Sequence, residues 1–363
     1  MASTAIMERP EEGSLKPSVA SSIAPARRIA SWLVLLAMLV SVLILWGGIV
    51  RLSGSGLSIP EWPLINGSLL PPLTEQGWET VRQTYAERYP DVAADLSVGD
   101  FERMFAIEYF HRFLAALVGI VFLAVLIRAK RTPTVWPVVR KTLWWAAGLL
   151  VAQAVLGGIV VKVDLKAMAV AGHLGLAFLF FGVLLWTAMR LLRPESSALI
   201  ERGALRTIGW LATGAVFLQI VSGGLVAGTG AGLLLNTWPR MGSHWIPSSD
   251  LLWSDWFTPR IMNLFENQIL IQFIHRWWAL VAAGAVIYLV ARTLSKPLTA
   301  RGRIALRAVT TILVLQLLLG IGNLLMKVPF WMAFAHLATG LALYATLLVI
   351  THEVKYNAET TAV

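Results

Sequence analysis

The chain contains no cysteine. That absence excludes disulfides, thiolate ligation of a metal or prosthetic group, iron–sulfur clusters and thiol redox chemistry. Charge is the second scarcity. Asp, Glu, Lys and Arg make up 14% of the 363 residues, against about a quarter in soluble domains. Hydrophobic residues make up 57%, and the mean hydropathy is +0.70. A soluble domain of this size is excluded, and the chain reads as an all-α integral membrane protein.

Eight apolar runs approach the roughly 20 residues that a helix needs to cross a bilayer. They cover residues 31–50, 107–127, 142–161, 168–191, 205–227, 268–291, 304–326 and 330–351. Acidic residues are the scarcer sign, leaving a net charge of +10. An excess of that size can signal nucleic acid, but its placement argues for a membrane and no nucleic-acid partner. Arg27 and Arg28 precede the first run, and Arg128, Lys130, Arg131, Arg140 and Lys141 join the second to the third. Arg193, Arg202 and Arg206 join the fourth to the fifth, Lys296, Arg301, Arg303 and Arg307 the sixth to the seventh, and Lys355 follows the last. The positive-inside rule makes that side cytoplasmic and puts both termini there. Residues 1–30 read as a disordered lead-in, with neither a cleavage pattern nor an Arg-rich transit composition. The expected location is therefore a bacterial plasma membrane, crossed several times.

What the chain does have is a repeat. His111 in EYFHRFLAALVG matches His275 in IQFIHRWWALVAAG, and His173 in AVAGHLGLAF matches His336 in MAFAHLATGLAL. GGIVRLSGSGLSIPEWP at residues 47–63 resembles GGLVAGTGAGLLLNTWP at 223–239, and QAVLGG from Gln153 resembles QLLLGI from Gln316. The expected architecture is eight transmembrane helices in two four-helix bundles, related by a pseudo-twofold axis along the membrane normal. The bundles span residues 31–192 and 205–352, with a linker at 193–204 and a tail at 353–363. Outer loops at 51–106 and 228–267 are too long to be simple connectors and are expected to cover a site.

Each bundle offers two histidines, placed by the repeat about one turn inside the outer ends of their helices. Histidine within a span is costly without a partner, and four in repeat register point past an interhelical hydrogen bond to metal ligation. Four imidazoles drawn to one centre would suit zinc or copper. Pairing within each half is simpler and suits an iron porphyrin held from both faces. Gly119, Gly157, Gly172, Gly284, Gly320 and Gly340 make room for a flat macrocycle or for close helix packing.

Glu108 stands one turn before His111, where the second half has Gln272. A carboxylate beside a porphyrin can move protons or stabilise a developing cation, and an amide cannot. The first half thus reads as the reactive site and the second as a fixed cofactor site, the bland reading of Glu108 being a solvated helix-start carboxylate. Arg112 and Arg276 follow their histidines directly and are expected to point outward, toward propionates or lipid headgroups. Trp62, Trp238, Trp277 and Trp278 read as interfacial or loop-packing residues, and His244 and His352 as surface residues.

GGIVRLSGSGLSIPEWPLINGSLLPP, EYFHR, NTWPRMGSHWIP and NLFENQILIQFIHRWWA together resemble the haem A synthase family of cytochrome oxidase assembly, over residues 31–351. The resemblance implies oxidation of the C8 methyl of haem O to a formyl group through an alcohol. It makes Glu108 catalytic, assigns His111, His173 and Arg112 to substrate haem O, and gives His275, His336 and Arg276 to a haem B cofactor that passes electrons onward. Water is the expected oxygen source. Many family members carry a cysteine pair in an outer loop; this chain has none, so no thiol step operates here. Expected partners are haem O and the lipid bilayer, with the haem O synthase, an electron acceptor and a second copy of the chain left open. A di-haem b-type electron-transfer (quinol) protein and a haem carrier are the competing readings.

Overall fold

A computed structural model describes residues 19–65, 67–192, 203–296, 298 and 300–355. Residues 1–18 of the lead-in, 193–202 of the linker with Arg193 and Arg202, and 356–363 of the tail lie outside the described residues.

Twelve α-helices are described: α1 Val19–Leu52, α2 Glu75–Arg88, α3 Pro90–Ala93, α4 Val98–Lys130, α5 Trp136–Lys162, α6 Ala167–Leu191, α7 Gly203–Thr229, α8 Ser249–Leu252, α9 Asn263–Glu266, α10 Gln268–Leu294, α11 Ala300–Leu325 and α12 Phe330–Lys355. Eight of them (α1, α4–α7 and α10–α12) are long and apolar enough to span a membrane. Each contains one expected apolar run, apart from a residue at the end of α11. Helix is the form that satisfies every backbone group locally where water is absent. Two corrections concern helix starts. α1 begins at Val19, inside the expected lead-in. α4 begins at Val98, where the Ser97 hydroxyl accepts from the Asp100 N–H at 3.1 Å. His111 therefore lies some 20 Å along its helix at 1.5 Å per residue, and not one turn in.

The spanning helices fall into two groups. α1 packs on α4 and α6, and α5 on α6; α7 packs on α10 and α12, and α11 on α12. The groups meet where α6 crosses α7 and where α12 crosses α1 and α6. Small residues bring the α6–α7 seam together. A Cβ placed on Gly228 would lie 2.6 Å from Ala167 Cα, and one on Gly224 2.9 Å from Ala171 Cα. This is the small-xxx-small spacing by which helices approach in lipid. Phe178, Leu184, Leu33, Leu36, Val286 and Leu347 belong to one core cluster that runs through both groups.

The first outer loop has its own core, formed by Ile59, Ile65, Val81, Tyr85, Phe101 and Phe105. Phe101 and Phe105 belong to α4, so burying them carries that helix beyond its apolar run. The α5–α6 turn holds Asp164 and Leu165 at φ 50 and 58, and the α11–α12 turn holds Lys327 and Val328 at φ 59 and 58. Their side chains close on matching glycines: Leu165 on Gly56 and Val328 on Gly232. Asp164 also accepts from the Tyr89 hydroxyl at 2.8 Å and from Arg88 at 3.3 Å, tying this turn to the outer loop.

Candidate functional site

All four repeat histidines are half-buried. His111 and His173 lie within electrostatic reach of one another, and so do His275 and His336. Each ring abuts a glycine on a neighbouring helix. An added Cβ would stand 3.2 Å from His111 Cε1 at Gly47, 3.1 Å from His173 Cε1 at Gly157, 3.2 Å from His275 Cε1 at Gly223 and 3.1 Å from His336 Cε1 at Gly320. Glycine is what the close approach of ring to backbone requires. Of the other glycines singled out from the sequence, Gly119 and Gly284 face open space, while Gly172 meets Leu156 and Gly340 meets Gln316.

The polar surroundings of the rings differ. Gln153 Nε2 lies 3.2 Å from His173 Nε2, and Gln316 Nε2 lies 3.4 Å from His336 Nε2. Ligation of a metal through Nε2 requires both amides to turn away. His275 has Ser222 Oγ at 2.8 Å from its Nδ1, while Gln219 Nε2 lies 3.1 Å from its Nδ1 and 3.3 Å from its Nε2 and donates to its backbone carbonyl at 3.0 Å, so ligation here also requires an amide to turn away from the ring. The Nδ1 atoms of His111, His173 and His336 are buried without a hydrogen-bond partner.

Glu108 is buried, with 4% of its surface exposed, so it is not a solvated helix-start carboxylate. Its Oε2 accepts from Ser58 Oγ at 2.8 Å and from the Ile59 N–H at 3.0 Å, and its Oε1 accepts from Arg112 Nη2 at 2.7 Å. Gln272, also buried, reverses the polarity. Its amide N–H groups donate to the Ala231 and Leu234 carbonyls, and its Oε1 accepts from Arg276 Nη2 at 3.2 Å. The two halves therefore share one latch, in which a helix residue and the arginine four positions later grip the outer loop; only in the first half does it contain a carboxylate.

The arginines require a correction. Arg112 donates to the Ile59 and Glu61 carbonyls, both at 2.6 Å, and Arg276 to those of Leu235 at 2.6 Å and Thr237 at 2.9 Å. Their guanidiniums turn onto the outer loops and hold them in place instead of extending outward from the helices. His352 is corrected as well: it is fully buried, with its ring 5.0 Å from that of Trp186, whereas His244 is exposed as expected. Trp62 lies on α5, its Cε3 2.7 Å from where a Gly158 Cβ would be, and Trp278 donates to the Ala215 carbonyl at 2.9 Å.

Several of these groups escaped sequence reasoning. Ser58 and the loop carbonyls are far from Glu108 and Arg112 in the chain, and no motif links them. Gln153, Gln219 and Gln316 each stand four residues before their contact glycine, a spacing that was available but has no meaning until the glycine is seen beside a ring.

Residues 30–348 match the COX15-CtaA family model, described as cytochrome oxidase assembly protein. The chain belongs to this family. Among curated relatives it is 35% identical to the heme A synthase of Bradyrhizobium sp. (strain ORS 278) over 335 residues, covering 88% of this chain and 90% of that protein. It is 35% identical to the heme A synthase of Paracoccus denitrificans (strain Pd 1222) over 349 residues, covering 92% and 89%. The heme A synthase of Nitrosospira multiformis is 31% identical over 369 residues, covering 96% and 99%.

Paired imidazoles in a family of this kind raise the question of fit to a haem. Among the described residues no group of three or more His, Asp or Glu gathers to hold a bare metal ion, which removes the single four-histidine centre. Two half-buried imidazoles per half, each set by a glycine contact and free of a competing carboxylate ligand, are a donor set that would suit the iron of a haem.

Proposed function

We propose that the chain is a haem A synthase of a bacterial plasma membrane, an oxidoreductase that converts the C8 methyl of haem O to the formyl group of haem A through an alcohol. Family membership supports a role in haem A biosynthesis for cytochrome oxidase. The finer assignment is carried by one observation: two matched histidine pairs, of which only the first has a carboxylate in the latch beside it. In this reading residues 31–192 receive haem O between His111 and His173, and residues 205–352 hold haem B between His275 and His336. The halves are pseudo-twofold mates, as their matched ring–glycine contacts and turns suggest. The basic loops and both termini face the cytoplasm.

Bound haem B would supply a one-electron relay from the substrate half to an acceptor outside the chain. The protein's own residues do the rest. Glu108 has four acceptor sites and uses three on Ser58, Ile59 and Arg112. One site on Oε1 is left for positive charge or a proton at the methyl edge of the substrate. Each oxidation takes an electron pair and one proton from the substrate carbon and a second proton from the water that adds to it, the electrons leaving for the outside acceptor, so a fixed carboxylate is useful at both stages. Arg112 keeps that carboxylate and the covering loop in register. Gln272 has no ionisable group, which suits a site where nothing reacts.

The test is a Glu108→Ala variant, purified and extracted with acidic solvent so that its porphyrins can be identified. The expected extract contains haem B and haem O but no haem A. Haem A at the parent level removes the assignment of Glu108. In the parent, haem B alone at both sites marks an electron-transfer protein, and haem B loosely held at one site marks a carrier.

A further inference from the structure

We propose that Ser222 is a positioning residue that makes His275 a permanently oriented axial ligand, and that Trp46, which replaces it in the first half, leaves His111 exchangeable. The inference rests on the reading of these histidines as haem ligands.

The direction of the hydrogen bond follows from its neighbours. Ser222 has one proton to give, and its hydroxyl donates to the Gln219 carbonyl at 2.8 Å, one turn back on α7. Its oxygen then has only acceptor capacity to offer His275 Nδ1 at 2.8 Å. A ring that ligates iron through Nε2 carries its proton on Nδ1, where the Ser222 oxygen can accept it; Gln219 Nε2, 3.1 Å from Nδ1 and 3.3 Å from Nε2, then has to turn away from the ring as Gln153 and Gln316 do from theirs. An acceptor behind the ring fixes its tautomer and rotation and raises its basicity as a ligand. Gln219 contributes from the same helix by donating to the His275 backbone carbonyl, so both the ring and the helix that carries it are held by α7.

The first half departs from this at two positions. Gly47 and Gly223 contact their histidines identically, and the residue before each is Trp46 or Ser222. Trp46 sends its indole N–H to the Ile107 carbonyl at 2.8 Å and offers no acceptor. Gln219 is likewise replaced by Leu43. No hydrogen bond to either ring nitrogen of His111 is present among the described residues, and its Nδ1 is buried without a partner. A substrate site must take in one porphyrin and release another at each turnover, and a cofactor site must not. The missing acceptor falls on the half that has Glu108.

The experiment is a redox titration of full-length Ser222→Ala in detergent, loaded with haem B and followed by optical spectroscopy, with release to an excess of apomyoglobin as a second readout. Loss of the acceptor weakens electron donation by the imidazole. One of the two haems should shift to a more positive midpoint potential and leave about tenfold faster, the lower end of what outer-shell changes cost. Ser222→Thr, which keeps the hydroxyl, should restore both values. An Ala variant with the potential and release rate of the parent overturns the inference. So does a Thr variant that behaves like Ala, or an effect on both haems alike. If Ser222→Ala does not fold, Ser222→Thr must match the parent and Ser222→Val must show the loss. His275→Ala separates the two levels: unchanged haem content in that variant overturns the ligand assignment itself, whereas haem loss there together with an unaltered Ser222→Ala overturns only the role of Ser222.

Discussion

At the scale of single residues, the Glu108–Arg112 pair carries more of the design than its spacing suggests. The carboxylate is buried and the guanidinium nearly so, with side-chain exposures of 5% and 17%. Removing one partner of such a pair costs about 3–5 kcal/mol, because the other charge is left uncompensated. Arg112→Ala should therefore lower the melting temperature in detergent more than Glu108→Gln does. The Gln variant keeps its shape and one carbonyl oxygen for Ser58 and Ile59, but turns its amide toward Arg112, a mismatch of about 1–3 kcal/mol. Equal melting temperatures for the two variants would show that the charge of Glu108 is not what Arg112 balances. The sequence placed Glu108 and Arg112 on one helix and distinguished them from Gln272 and Arg276. It could not reveal the loop groups they hold, since Ser58 and Ile59 lie about fifty residues away and the contact depends on how the loop folds back.

At the scale of elements, most of the architecture was legible because hydrophobic length alone defines a span. The exceptions have a common cause. The start of α4, VGDFERMFA, is too polar to count as membrane, yet it stays helical because Phe101 and Phe105 are buried in the loop core above it. His352 looked like a surface residue because it follows the last apolar run, and it is buried because α12 continues against α6 and α7. Helix seams can be tested within a single helix. Gly228→Ala puts a methyl 2.6 Å from Ala167 Cα, so α6 and α7 must part, and overpacking of this kind costs about 1–3 kcal/mol. Gly214→Ala on the same helix meets nothing within 4 Å and should be neutral or stabilising, by up to about 1 kcal/mol from helix propensity. A thermal shift of the same size for both would argue against a tight seam. The tie between the outer loop and the α5–α6 turn should respond to acid. Hydrogen bonding from Tyr89, and after it the Arg88 guanidinium, holds the exposed Asp164 carboxyl below the usual carboxylate range. Its contribution is present above the unfolded value of about 3.9 and is lost as pH falls through the lower folded value. Protease cleavage in the first outer loop, which carries α2 and α3, should therefore rise only at that acidic end, and Asp164→Asn should remove the pH dependence.

At the scale of the whole molecule, the most direct question is which face of the membrane each loop occupies, and the chain's lack of cysteine makes it answerable. A single introduced thiol has no background. Leu73 lies in the first outer loop and is 82% exposed, and Arg131 is an exposed residue in the basic connection between α4 and α5. If the basic connections face the cytoplasm, Leu73→Cys in intact spheroplasts should react fully with a membrane-impermeant maleimide. Arg131→Cys should react only after the membrane is permeabilised. The same orientation would put the outer loops, the Glu108 latch and the ends of the helices that carry both histidine pairs on the extracytoplasmic side. Reversed labelling would invert the topology while leaving the helix packing and both latches intact, because those depend on contacts within the chain. The positive-inside argument rests on Lys and Arg alone, and the placement of those residues is independent of the repeat. Labelling in the expected sense would thus mean that two unrelated features of the sequence, its charge asymmetry and its duplicated histidines, agree on where the chemistry takes place.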